Sequence, residues 1–215
     1  MDAGVAKDSE ARKFVDPESP LARHFRALAE NLVALRSESS VSVNTVVVTS
    51  PEPGAGCSSV CLGLAGALVE MGLRAAVVDC NLEDPGLHRI IGEPNFIGLT
   101  SSLESGKPPE NYGCEVVPGL LVVPTGPVPS DPVARRESEG FVLTVRSLEN
   151  HYDFVLLDAP VTSTVIASDT LSEDFAGVLL VVHASKTSKS AAREATDDLL
   201  EAEINLLGVV LNGAS

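Results

Sequence analysis

Residues 49–60 read TSPEPGAGCSSV. The apolar run VNTVVVTS at 43–50 leads in, and the small-residue stretch CSSVCLGLAGALVEMG at 57–72 leads out. Strand, glycine-rich turn and helix in this order form a phosphate-binding loop. Gly54 and Gly56 permit backbone conformations that gather N–H groups into a nest for phosphate oxygens, and a helix N-terminus adds partial positive charge. Pro53, Gly54, Ala55, Gly56, Cys57, Ser58 and Ser59 are therefore candidate phosphate-binding residues, and a serine hydroxyl at 58 or 59 can hold Mg²⁺. An ordinary strand-to-helix turn is the plainer reading of the glycine pair alone. The misfit is Cys57, which stands where such a loop carries its lysine.

Outward from the loop, apolar runs alternate with helical patterns. VNTVVVTS, RAAVVDC, LLVVPTG, DFVLLDAP, GVLLVVHA and LLGVVLN are nearly continuous apolar runs, the pattern of strands covered on both faces. Segments 57–72, 132–150, 163–172 and 187–203 read as helices between them. The alternation predicts an α/β fold of three layers, P-loop NTPase-like, with a mainly parallel, doubly wound sheet. Residues 1–18 read as a flexible N-terminal tail and residues 19–215 as a single domain. Ser19 and Pro20 open a helix on which Leu21, Phe25, Leu28, Leu32 and Leu35 form one apolar stripe, packed on the sheet or open to a subunit interface.

Charge narrows the partners. Thirty acidic residues against 15 basic give a formal net charge of -15, which argues against a nucleic-acid or anionic-membrane surface. No apolar run approaches the roughly 18–20 residues of a bilayer span, and the polar N-terminus lacks the apolar centre of a secretory signal. A cytoplasmic protein without direct membrane insertion is expected.

Two further segments end apolar strands in acid, where a doubly wound sheet binds its ligands. In AVVDCNLEDPGLHRIIG, Asp79 is placed to orient a metal-bound water or take a hydroxyl proton, or else to cap the helix that starts near Pro85. In YDFVLLDAPV, Asp158 stands where a Walker B aspartate holds Mg²⁺. Ser58, Asp79 and Asp158 are the candidate metal ligands, and Asp79 the candidate catalytic residue. The four cysteines, Cys57, Cys61, Cys80 and Cys114, lack zinc-ligand spacing. A redox or metal pairing of Cys57 with Cys80 is open, with a helix N-terminus expected to lower the Cys57 pKa; small residues filling a degraded site are the plainer reading.

From about Asp16 to Gly213 the chain resembles the cytoplasmic domain of the bacterial tyrosine kinases (BY-kinases) of capsule and exopolysaccharide synthesis, P-loop proteins related to MinD and ParA. DPESPLARHFRALAENL resembles their entry helix, TSPEPGAGCSS their Walker A loop, and VVDCNLEDPGLHRIIG their Walker A′ segment. IGLTSSLESG, LLVVPTGPVPSDP, YDFVLLDAP and GVVLNG match further landmarks, and Asn212 falls at the position near the nucleotide base. The resemblance implies Mg-ATP or ADP as ligand, a transmembrane polysaccharide co-polymerase or a kinase paralogue as partner, and homo-oligomeric assembly in the family. A partner of that kind would recruit the chain to the inner face of the membrane.

The departures cluster. Cys57 replaces the Walker A lysine, Asn81 the second Walker A′ aspartate, and Glu83 the arginine two positions later. Arg135 and Arg136 stand in place of a leucine pair. Of the ring-assembly motif on the entry helix only Arg26 is kept, with Arg23 for its acid and Ala29 for its last arginine. The only tyrosines are Tyr112 and Tyr152, and no tyrosine cluster precedes Ser215. These changes predict a pseudokinase, with weak Mg-ATP or ADP binding or none, acting as a non-catalytic regulator or scaffold. The alternatives are a surviving ATP-binding kinase or ATPase and, ranked below it, a MinD/ParA-like positioning switch.

Overall fold

In the computed structural model, residues 10–38, 44–168, 170, 171, 175 and 177–214 are described. The apolar runs become strands β1 (Thr45–Thr49), β2 (Ala75–Asp79), β4 (Leu120–Val123), β5 (Phe154–Asp158), β6 (Val178–His183) and β7 (Leu206–Asn212). One strand lies outside the six runs: β3 (Cys114–Val117), which turns back through Pro118–Gly119 onto β4. Among the described residues the sheet has seven strands in the order β3-β4-β2-β5-β1-β6-β7, parallel throughout except for the β3–β4 hairpin at one edge.

Alternate residues of each central strand feed opposite layers, as the period of two requires. Val46 and Val48 face the layer of α1 (Arg12–Val15), α2 (Ala22–Glu38) and α3 (Cys57–Glu70); Val47 faces the layer of α7 (Glu139–Leu148) and α9 (Lys189–Glu201). Three layers follow, and β1, β2 and β5 are buried along their whole length. Close approach in the first layer needs a bare backbone: a Cβ at Gly63 of α3 would overlap the Phe25 ring of α2. Leu32 is buried against this layer, with Phe25 and Leu28 packed on it, so the centre of the α2 stripe faces the core while Leu21 and Leu35 at its ends stay exposed.

Three local expectations change. The helix expected over 132–150 is two, α6 (Pro132–Arg136) and α7, because Ser138 restarts the chain as an N-cap for the Phe141 N–H at 3.3 Å. The helix expected over 163–172 is α8 (Thr162–Ile166), interrupted at 167–168, with 170 and 171 helical again; 169 and 172–174 lie outside the described residues. The tail expected over 1–18 is anchored in its second half: Ala11 is fully buried and its N–H donates to Ile90 O at 3.0 Å. Residues 1–9 lie outside the described residues. Two further short helices are α4 (Leu87–Ile91) and α5 (Leu99–Ser105).

Candidate functional site

All the parallel strands end at the same edge of the sheet, and the loop after β1 crosses it there. Gly54 and Gly56 hold φ of 79° and 96°, which side chains oppose, and Gly56 leads into the first turn of α3. A cavity of about 450 Å³ opens over this turn. It is lined by Pro53, Gly54, Ala55, Gly56, Cys57, Ser58 and Ser59 from the loop and by Asp158 from β5, so these expected site residues share one space. Asn212 at the end of β7 backs the loop, its Nδ2 donating to Ala55 O at 2.8 Å. Behind Asn212, the turn after β6 brings Lys186, whose Nζ donates to Gly54 O at 3.3 Å.

Asp79 and Asp158 are register partners at the tips of β2 and β5. Their roles differ. Asp158 Oδ2 accepts from Ser58 Oγ at 2.5 Å, which places a hydroxyl and a carboxylate, donors suited to a hard cation, in one pair. Asp79 does not line the cavity. Its Oδ2 accepts from the N–H of Gly86 at 3.0 Å and of Leu87 at 3.1 Å, and its Oδ1 from the N–H of Asn81 at 3.2 Å. Asp79 therefore caps α4, the plainer of its two sequence readings.

Burial lifts the Asp79 carboxyl to about 6, against the pull of those three N–H groups. Burial, and then the neighbouring Asp79 charge, raises Asp158 well above the carboxylate range. A carboxyl whose native pKa exceeds its unfolded value adds stability that is whole below the unfolded pKa and is lost as pH rises through the native one. With an ordinary value of 3.8 and a native value of about 6, the Asp79 contribution disappears across that interval. The melting temperature, measured in EDTA without nucleotide, is expected to fall between pH 5 and pH 7.5. Asp158→Asn should flatten the fall; a wild-type rise, or equal slopes in both proteins, would contradict the assignment.

Cys57 heads α3 at the lysine position, but its thiol is not activated. Burial, and then the Asp158 charge, pushes it up to about 12, opposite to the direction expected from the helix N-terminus alone. Partial desolvation beside a carboxylate outweighs the helix dipole here. Burial also raises the pKa of Cys61 and Cys80 well above the thiol range. All four cysteines are free thiols, and among the described residues no cluster of three or more His, Cys, Asp or Glu side chains has metal-holding geometry.

Two departures noted separately in the sequence meet in space. Arg136 is buried to 1% exposure, and its Nη1 donates to both carboxylate oxygens of Glu83 at 3.1 Å. Glu83, which lines the cavity, is thus matched by a cation behind it. Arg89 also lines the cavity but is engaged, donating to Pro85 O at 2.8 Å beside Asp84 at 3.6 Å. Arg26, the surviving arginine of the entry helix, pairs with Glu70 of α3 at 3.2 Å, and Ala29 is buried. The sequence reading did not single out as site residues Arg89, which lines the cavity, nor Arg136 and Lys186, which hold the lining residues Glu83 and Gly54 from outside it. The reversed signs at 83 and 136 were the available signal for Arg136; nothing in the sequence marked Lys186.

The family profile described as cellulose biosynthesis protein BcsQ matches residues 43–206. CapB of Staphylococcus aureus, named a tyrosine-protein kinase, is 27% identical over 197 residues, spanning 91% of this chain and 86% of that one. The crystal structure of the chimerical protein CapA2B2 superposes with a TM-score of 0.84 at 29% identity, covering 98% of this chain and 92% of that one. The kinase domain of the Escherichia coli tyrosine kinase ETK shares the fold with a TM-score of 0.83 at 20% identity, covering 95% of this chain and 80% of that one.

Proposed function

Since the chain belongs to the cellulose biosynthesis protein BcsQ family and is related to the BY-kinase domains of capsule and exopolysaccharide synthesis, we propose that it is a degenerate member whose loop binds polyphosphate weakly and transfers no phosphoryl group. It acts as a regulator or scaffold of polysaccharide synthesis, docked on a membrane co-polymerase or a kinase paralogue. Among the described residues no helix is long and apolar enough to cross a membrane.

The observation that carries this reading is that Cys57, not a lysine, heads α3 at the end of the phosphate loop. A lysine there would meet a phosphate charge at about 4 Å for roughly 4 kcal/mol at an effective dielectric near 20, before desolvation. A protonated thiol supplies none of it. The donors fit the two parts of Mg-nucleotide unequally. Ser58 and Asp158 would hold Mg²⁺, and the first-turn N–H groups of α3 would hold phosphate oxygens, with Asn212 near the base. The loop's own sequence leaves the triphosphate charge unmet. Asp79 is committed to α4 and Asn81 is no base, so neither of these two positions is set to take a hydroxyl proton.

One observation favours a surviving ATP-binding enzyme: the Ser58–Asp158 pair is intact. Titration with fluorescent ADP and Mg²⁺, run beside an ATP turnover assay and a tyrosine-phosphorylation assay on the full chain, separates the two. Affinity no tighter than about 100 μM, near -5.5 kcal/mol, with no turnover is expected. Micromolar binding with turnover would replace the scaffold reading by the enzyme. Pull-down of the tagged chain from its own cells should recover a co-polymerase or kinase; recovery of division or partition proteins alone would favour the positioning switch.

A further inference from the structure

The loop without a lysine still has an ammonium on it. Lys186 sits in the turn that follows β6, and β6 lies beside β1 in the sheet, so this turn and the phosphate loop leave the sheet at the same edge. The turn is held on every side. Ala184 N–H donates to Asn212 O at 2.9 Å, the N–H groups of Lys186 and Thr187 donate to His183 O at 3.2 and 3.0 Å, and Thr187 Oγ1 accepts from His183 N–H at 3.1 Å. Ser188 then caps α9, accepting from Ala191 N–H at 3.0 Å. Lys186 thus extends from a fixed base to Gly54 O.

The loop's two neighbouring carbonyls are both held from this side, Gly54 O by Lys186 and Ala55 O by Asn212. In a trans peptide the C=O and the following N–H point to opposite sides. Fixing Gly54 O therefore directs the Ala55 N–H away from Lys186, and fixing Ala55 O does the same for the Gly56 N–H. Both residues line the cavity. Asn212 does this as a neutral amide; Lys186 brings a full charge as well. Arg89, which lines the cavity, is already spent on Asp84 and Pro85.

Resting on the reading of this loop as a polyphosphate site, we propose that Lys186 is its relocated cation: it orients the Gly54–Ala55 peptide and supplies from the β6 turn the charge that Cys57 cannot. The ligand class is a di- or triphosphate group, free or on a nucleoside. Lys186 keeps its ammonium on Gly54 O, so its charge acts on a bound phosphate across the loop and through the peptide it orients.

Calorimetric titration of the full chain with inorganic tripolyphosphate, in EDTA at fixed ionic strength, tests this. Lys186→Gln is expected to weaken binding about tenfold, the scale of a charge-assisted hydrogen bond, and Lys186→Arg to stay within about threefold of wild type. Lys189→Gln makes the same charge change on the exposed start of α9 and should cost less than about twofold. In a Cys57→Lys background Lys186→Gln should cost less than about threefold, because the lysine at 57 then meets the same charge. If wild type and Lys186→Gln bind alike, or if Lys189→Gln costs as much, the inference falls and the loop reading stands. If neither wild type nor Cys57→Lys binds tripolyphosphate, the loop reading fails and takes the inference with it.

Discussion

Glu83→Ala is expected to lower the unfolding free energy by about 2–3 kcal/mol, a drop of roughly 5–10 °C in melting temperature for a chain of this length. The cause is the guanidinium left behind. Arg136 is 1% exposed, and Glu83 supplies both of its 3.1 Å contacts. Removing one member of a buried pair costs about 3–5 kcal/mol, because an uncompensated charge stays in the interior. The lower figure applies because the Glu83 side chain is 41% exposed and Glu137 remains 3.9 Å from Arg136 Nε. The reverse deletion should be far milder. Arg136→Leu removes the buried charge and leaves Glu83 free to hydrate, for a cost under about 1 kcal/mol. The double variant should match Arg136→Leu alone. Thermal and urea unfolding of the three proteins checks the asymmetry; equal losses from the two single variants would contradict it.

Cys57→Lys is expected to tighten Mg-ADP binding by about 10–100-fold, or roughly 1.5–3 kcal/mol, and to yield no turnover. Most of the roughly 4 kcal/mol of direct attraction is retained only if nearby acids do not claim the new ammonium. The acids nearest in the sequence motifs of the site are Asp79, Glu83, Asp84 and Asp158. In the fold, Glu83 is matched by Arg136, Asp84 faces Arg89, and Asp79 is bound by three backbone N–H groups. Asp158 is left as the competitor, and it already accepts from Ser58. Binding without catalysis would separate the charge lost at 57 from the base lost at 79 and 81. Fluorescent-nucleotide titration beside an ATPase assay reads both; unchanged affinity would mean that the cavity lacks more than a cation.

Why some of this was legible in the sequence follows from where each signal is written. Continuous apolar runs mark strands buried on both faces, so β1, β2, β4, β5, β6 and β7 were readable, as was the loop between β1 and α3. β3 was not, since an edge strand of four residues is half solvated and its pattern is short, although Pro118–Gly119 between two apolar runs marks a hairpin. The break between α6 and α7 lay in a serine that reads equally well as a surface residue until its Oγ is seen on the Phe141 N–H. Cys57, Ser58 and Asp158 were found because loop spacing places them. Glu83 and Arg136 are 53 positions apart, and Lys186 and Gly54 are 132 apart, so those pairings exist only once β2 lies beside β4 and β1 beside β6. Asp79 was found, but its role was decided by which N–H groups the chain delivers to it.

The anchored N-terminal segment has a mechanical consequence. Ala11 N–H holds Ile90 O near the far end of α4, while Asp79 at the edge of the site holds the N–H groups of Gly86 and Leu87 at its near end. At about 1.5 Å per residue, the short α4 is a strut of roughly 7 Å between them. A pull on the chain ahead of residue 10 is therefore delivered, through one turn of helix, to the tip of β2 beside the cavity.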